Sequence, residues 1–556
     1  MKRSTLTLLL ALLILTMPVL SACNNTSSPT PTPTAAAPTP GEPEVPPEQT
    51  KEPDAPEVPN APQPKTAVVT QYNAADVANP DADIVIVQSL DMVSWDPVNT
   101  SDLSNGYVIN NVYSKLFTFD ENINGIPELC ESYEMVSETE WRFTIYPDVK
   151  CHDGSILTAE DVVYSLNRTK EGTAIGALFT PVDEITMIDE LTIRITTNGP
   201  YPALPTALTH QATCIVPMGY AKEAAESGDW SKPIGSGRYT FESRMIGDSV
   251  KLVRFDDYFN QDDAALNHSL TFKVIPEGGS RTIQVETGTA DLNIDFDTAD
   301  YDRVMATDSL QLWQHYSQTV WHLGMDNTNE WFSNKLVRQA VSFAVDRDAC
   351  LELGHNGYGT VMYNSATFAP TCLGAVVNPL DMYSYDPVRA QELMDEAGCT
   401  GFETQIIVFR DETERIATLC AAYLEVIGIK AEVVRIENAV FASYIKDHRA
   451  PMFITSWGAY WDPDLFLARR FSTAGIGGVN RVWYLNEELD PMILAGRSTF
   501  DEAERAATYK EIQEFLAEEA PEVDLYVSIM FALANKDLKG IEINVERPFN
   551  FYKLHY

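Results

Sequence analysis

Thr404-Gln-Ile-Ile-Val-Phe-Arg-Asp-Glu-Thr-Glu-Arg-Ile-Ala-Thr-Leu-Cys-Ala-Ala-Tyr-Leu-Glu-Val-Ile-Gly-Ile-Lys-Ala-Glu-Val-Val-Arg435 is the stretch that decides the fold class. Thr404 to Val408 is a short β-branched run and reads as a strand. Glu412 to Ile427 has the length and composition of a helix, closed by Gly428. Lys430 to Arg435 is again a strand. A strand–helix–strand succession of this length predicts a parallel pair joined by a crossover helix, and so an α/β lobe.

The same alternation continues outward. Asp83-Ile-Val-Ile-Val-Gln88 reads as the first strand, and Trp141 to Tyr146 alternates as a half-buried one. Thr158-Ala-Glu-Asp161 is a capping-box-like helix start, with Asp where Glu or Gln is usual. Val337, Ala340, Val341, Ala344 and Val345 form one apolar helical stripe. Asp501 to Glu519 is a further helix with Asp501 as its N-cap. No repeat of solenoid period is present.

The chain ends differently from how it begins. Lys2 and Arg3 precede an apolar run, Leu6 to Val19, then Leu20-Ser21-Ala22-Cys23. The run is short for a spanning helix, which needs about 20 residues; it reads as a signal peptide, residues 1–22. Cys23 after Leu-Ser-Ala resembles the bacterial lipobox, which implies diacylation of its thiol. Residues 23–80 are dominated by Pro, Thr, Ala and Glu, with 13 of the 33 prolines between Pro29 and Pro64. Such chain buries too little to offset its ordering entropy, so it is expected to be a disordered, extended tether.

The formal charge is −41, from 80 acidic and 39 basic residues. That excludes nucleic acid as a partner, because phosphates would be repelled. Of eight cysteines one is assigned to lipid, and the odd seven left show neither CxxC nor Cys/His metal spacing. Buried thiols are expected, with no metal and no cofactor. Neither G-x-S-x-G nor H-E-x-x-H occurs, and no catalytic constellation is evident, so the chain reads as a non-enzyme. A secreted hydrolase is the remote alternative.

Leu129-Cys-Glu-Ser-Tyr-Glu134, Trp141 to Tyr146, Val149-Lys-Cys-His-Asp-Gly154 and Leu157-Thr-Ala-Glu-Asp-Val-Val-Tyr-Ser-Leu-Asn-Arg168 follow one another in order. This succession closely resembles the signature block of the family 5 extracellular solute-binding proteins, the oligopeptide- and dipeptide-binding proteins of ABC importers. Cys151 stands where Phe is usual. Pro233 to Tyr239, Asp248 to Arg254, Asp257 to Phe259, Glu286 to Leu292, Asn334 to Arg347 and Ser456 to Pro463 resemble later blocks of the family, in its order.

The resemblance implies an α/β, two-lobed periplasmic-binding-protein-like clamp with an extra subdomain in lobe I. Lobe I would combine 81–120, 237–330 and 525–556. The subdomain would be 121–236, and lobe II 331–524. The implied function is a lipid-anchored, extracytoplasmic binder on the cell membrane. As a monomer it would capture a small peptide or other small solute by hinge closure and deliver it to ABC permease subunits. The same clamp used as an adhesin or signalling receptor is a further possibility.

Most matched residues read as scaffold. Gly154 and Gly237 suit tight turns, Asp161 and Asp346 look like helix caps or ion-pair partners, and His152 reads as a structural hydrogen-bonding group. The candidate ligand residues are Trp457, Tyr460, Trp461 and Asp462, with Trp95 after the first strand and Arg410 after the strand ending at Val408. Trp321 and Trp483 are weaker candidates. Flat rings stack on peptide planes, sugars or cations, and Arg410 would pair a ligand carboxylate bidentately. In the family's peptide binders an Asp three residues after the Trp pairs with the peptide ammonium. Here that position is Tyr460. Asp462 is either that partner, shifted, or the family's Asp-Pro turn. A non-peptide ligand — oligosaccharide, opine-like conjugate or metal chelate — is therefore the alternative.

Overall fold

The computed structural model describes residues 65–66, 77–99, 102–119, 125–172, 175–363, 372–375, 382–458, 462–476, 478–542 and 550–556. The expected signal peptide, Cys23, the tether up to residue 64, Tyr460 and Trp461 lie outside these residues.

The stretch that opened the reading folds as expected. Phe402–Val408 and Ile429–Arg435 are parallel neighbours, Ile406 opposite Val433, joined by the helix Asp411–Val426. Gly428 ends that helix with φ of 83°, a conformation that L side chains resist. Ile406 and Val408 enter one core of this half, while Ile407 between them enters another. This is the two-residue alternation of a strand with both faces covered.

These strands belong to one mixed sheet. Its order is Ile429–Arg435, Phe402–Val408, Met452–Gly458, Leu310–Met325, Glu522–Asn535, Leu292–Asn293, Asp83–Gln88, Ser269–Val274, Ser249–Arg254 and Tyr239–Met245. Asp83–Gln88 and Ser269–Val274 are parallel at the far end. Leu310–Met325 and Glu522–Asn535 are long antiparallel partners, and each contributes to cores at both ends of the sheet. Their register slips between Tyr316 and Val320 and again between Trp321 and His322. At the first slip the Ser317 hydroxyl donates to the Ser528 carbonyl at 2.8 Å and accepts from the Thr319 N–H at 3.0 Å. The slip is thus a hydrogen-bonded bulge.

A separate antiparallel sheet has the order Cys130–Ser137, Glu140–Ile145, Thr192–Thr197, Val182–Met187. Trp141, Phe143 and Ile145 meet Val162 and Leu166 of the helix Ala159–Glu171 in its core. Asp161 closes the capping box: its carboxylate accepts from Thr158 N–H at 2.8 Å. Asp346 caps the helix Arg347–His355 through Ala349 N–H at 3.1 Å, and Asp501 caps Glu502–Glu519. Arg347, which follows Asp346, is fully buried and donates to the carbonyls of Asp524, Ser342 and Tyr383. Among the described residues no helix is long and apolar enough to cross a membrane.

His152 performs structural work. Its Nδ1 accepts from Gly235 N–H at 3.3 Å, so Nε2 carries the proton and donates to the Gly237 carbonyl at 3.1 Å. Burial lowers its pKa to about 4, which keeps it neutral. Gly237 is needed for a different reason from the turn expected. Any Cβ there would lie 2.5 Å from the Asn111 carbonyl oxygen, so two backbones touch at this point. The seven cysteines described are all buried, and Cys350 and Cys420 face each other with sulfurs 3.9 Å apart.

Gly237→Ala should therefore lower stability by about 1–3 kcal/mol through overpacking against fixed backbone. Gly154→Ala has open space but φ of 85°, and should cost only about 1 kcal/mol. Urea denaturation of the two variants checks the order, and equal loss would contradict the close-approach account.

Candidate functional site

Trp457 is the penultimate residue of the strand Met452–Gly458, opposite Val320 on Leu310–Met325 just beyond the bulge. Two guanidinium groups flank its ring: Arg481 Cζ is 4.6 Å from the centroid and Arg470 Cζ 5.8 Å. Arg470 ends the helix Pro463–Arg470, packs near Phe466 and Phe471, and forms a close ion pair with Glu522. Glu522 is fully buried, and burial raises its pKa to about 8 against the opposing pull of Arg470. Arg481 is half-buried; desolvation, then Arg470 and Arg469, lower its pKa to about 10.

Asp462 sits elsewhere in the logic of this wall. It is 1% exposed and caps Pro463–Arg470 through Asp464 N–H at 3.0 Å. Both its oxygens accept from Arg505 Nη2, at 3.0 and 3.1 Å. The adjacent Asp464 is likewise held by Arg497 Nε at 2.9 and 3.1 Å. The geometry is that of the Asp-Pro turn, with its charge already answered.

Trp321 occupies a second position on the same strand pair. It stacks on Tyr526, with centroids 6.1 Å apart, and donates from Nε1 to the Ser528 hydroxyl at 3.4 Å. Arg410 is exposed, with Cζ 5.9 Å from the Trp321 ring. His355 lies edge-on to Trp321, 3.1 Å from the Tyr526 hydroxyl through Nδ1 and 3.3 Å from Glu412 through Nε2. Burial, then Arg415, lowers the His355 pKa to about 4, so the contact with Glu412 joins a carboxyl group to a neutral ring. Burial raises Glu412 to about 7; Arg410 and Arg415 oppose this, and Asp297 adds to it. Asn356 donates to Thr298 at 2.9 Å close by, which ties the helix Arg347–His355 to the segment after Leu292–Asn293.

Trp95 is a correction. It is 3% exposed and packs edge-on against Phe241, 5.2 Å away, inside the core around Asp83–Gln88. An indole that follows a central strand had to be buried by something, and Phe241 supplies the face. Trp483 lies tilted against His448, with centroids 4.1 Å apart, and donates from Nε1 to the Ile445 carbonyl at 3.3 Å. Reading the sequence missed Arg481, Arg470, His355, Glu412 and Tyr526. Only Arg470 carried a local signal, the basic pair Arg469-Arg470 at a helix end in an acidic chain.

This arrangement is a mixed α/β binding scaffold of the kind seen in two-lobed periplasmic binding proteins. The H. pylori binding protein DppA, solved with the peptide STSA, superposes with a TM-score of 0.79 at 23% identity, over 85% of this chain and 98% of that one. AgaA from A. tumefaciens R10, solved with agropinic acid, gives 0.77 at 22% identity over 85% and 96%. Residues 124–478 match the bacterial extracellular solute-binding proteins, family 5, and the chain belongs to that family. It is also 26% identical to the glutathione-binding protein GsiB of Pectobacterium atrosepticum over 509 residues, 87% of this chain and 96% of that protein.

Two outcomes follow. Asp462→Ala leaves Arg505 buried without its carboxylate, and should destabilise the protein by about 3–5 kcal/mol, read by chemical denaturation. Glu412 gives a pH dependence. Its folded pKa lies near 7, above the ordinary 4.5, so its contribution to stability is complete below about pH 4.5 and is lost as pH rises through 7. Glu412→Gln should therefore flatten the fall in melting temperature between pH 5 and 8; an unchanged pH profile would contradict the assignment.

Proposed function

We propose that this protein captures peptides or peptide-like solutes outside the cytoplasm by closing two lobes over them, and delivers them to the membrane subunits of an ABC importer. Family membership supports the solute-binding part of this reading. The observation that carries the rest is the strand pair Leu310–Met325 and Glu522–Asn535. It joins the two groups of cores, and beside its bulge Val320 pairs with Trp457 on the adjacent strand Met452–Gly458, while Trp321 is buried in the core at the same place. Two strands that cross together give a hinge, and a bulge is where such a pair bends with least loss of hydrogen bonds.

In this reading 81–120, 237–330 and 525–556 form lobe I, 121–236 its subdomain and 331–524 lobe II. Trp457, with Tyr460 and Trp461 beside it in sequence, forms the aromatic wall, and Arg410 edges the Trp321 side. The peptide-bound DppA and the glutathione-binding GsiB favour a peptide-like ligand. The Tyr460 that replaces an acidic residue favours, as the second reading, an opine-like conjugate, for which AgaA gives the precedent on this fold. The chain acts as a carrier, with no chemical step. Cys23 holds it to the membrane by lipid, with the Pro-rich segment as spacer.

Short peptides or glutathione should raise the melting temperature in proportion to the logarithm of ligand excess. Stabilisation by an oligosaccharide or opine alone would overturn the peptide reading. Cys23→Ala should move the protein from the membrane to the soluble fraction on cell fractionation; retention in the membrane would refute the lipid anchor.

A further inference from the structure

The charges around Trp457 are unequal in a way that specifies one end of the ligand. The three carboxylates at the start of the helix Pro463–Arg470 and of the strand Glu522–Asn535 are each buried and paired: Asp462 with Arg505, Asp464 with Arg497 and Glu522 with Arg470. None of the three is open to a ligand ammonium. The arginines are not symmetrically matched. Arg481 is half-buried, and among the described residues no carboxylate lies within ion-pairing distance of it. The acid that acts on it is Asp102, beyond direct contact, while Arg470 and Arg469 repel it.

A guanidinium held over an indole face, partly out of water and beside two others, is costly unless an anion completes it. Arg481 Cζ lies 4.6 Å from the Trp457 centroid and 6.0 Å from the Phe441 ring, and aromatic rings offer the guanidinium no carboxylate. In a chain with 80 acidic and 39 basic residues, such a group is against the trend of the whole surface.

We infer that Arg481 is the specificity residue for a ligand carboxylate: the site recognises the acidic end of its solute, seated on Arg481 against the Trp457 ring, and not a free ammonium. This rests on the peptide-like reading above and narrows it. The ligand class becomes carboxylate-terminated solutes whose amino group is free to be blocked, extended or absent.

The test uses the mature full chain and three pools of synthetic tri- to pentapeptides of identical composition, with free ends, acetylated N-termini or amidated C-termini. Bound peptides are released by denaturation and quantified by mass spectrometry. Acetylated peptides should be retained as well as free ones, and amidated peptides at least about tenfold less, the loss expected for one charge-assisted bidentate contact. Arg481→Gln should remove the difference between free and amidated pools without lowering the melting temperature of the free protein, and Arg481→Lys should restore part of it. Equal retention of amidated and free peptides, or loss of the acetylated pool, overturns this inference and leaves the peptide reading intact. Retention of no pool by the wild-type chain overturns both.

Discussion

The ladder between Leu310–Met325 and Glu522–Asn535 is the constraint on which the rest of the structure depends. It is one run of backbone hydrogen bonds shared by the cores at both ends of the molecule. Within the main sheet, among the described residues, the strands on one side are hydrogen-bonded to those on the other through this pair. A backbone ladder is obligatory, because unpaired N–H and C=O groups in such an interior would each cost roughly 1–3 kcal/mol. The ladder therefore fixes the relation of the two halves to the extent that it is regular, and relaxes it where the register slips beside Ser317.

Charge is concentrated around this pair. Glu522 starts one strand and holds Arg470; Arg347 donates to the Asp524 carbonyl; His322 is buried as a neutral ring in the fields of Arg470 and Arg481. Buried ions are poor sources of net stability, since desolvation offsets most of their attraction. Their value here is geometric. Arg470 is fixed against Trp457, Phe466 and Phe471 because Glu522 pins its other side. Arg481 lies over the same ring, and desolvation, then Arg470 beside it, lowers its pKa.

How much was legible depended on the range of the interaction concerned. The parallel pair 402–435, the stripe Val337 to Val345 and the caps Asp161, Asp346 and Asp501 were readable because each feature is completed within one element or its neighbour. The central strand pair went unmarked. Leu310–Met325 mixes polar and apolar residues, and its partner lies about two hundred positions away. Trp95 was misassigned for the same reason: an indole after a strand is open or covered according to Phe241, far along the chain. Asp462 carried two readings, and Arg505, forty-three residues on, answers its charge.

By itself, the sequence determined the α/β character, the family and the scaffold roles of His152, Asp161 and Asp346, since those follow from local periodicity, capping chemistry and ordered motifs. Only the tertiary structure decided which charges remain available. Asp462, Asp464 and Glu522 are closed by arginines from distant segments, while Arg481 faces Trp457 without a paired acid among the described residues. Sequence spacing records how many acids and bases a chain carries. Which of them neutralise one another depends on distances of a few ångströms, because Coulomb attraction and desolvation both act at that range.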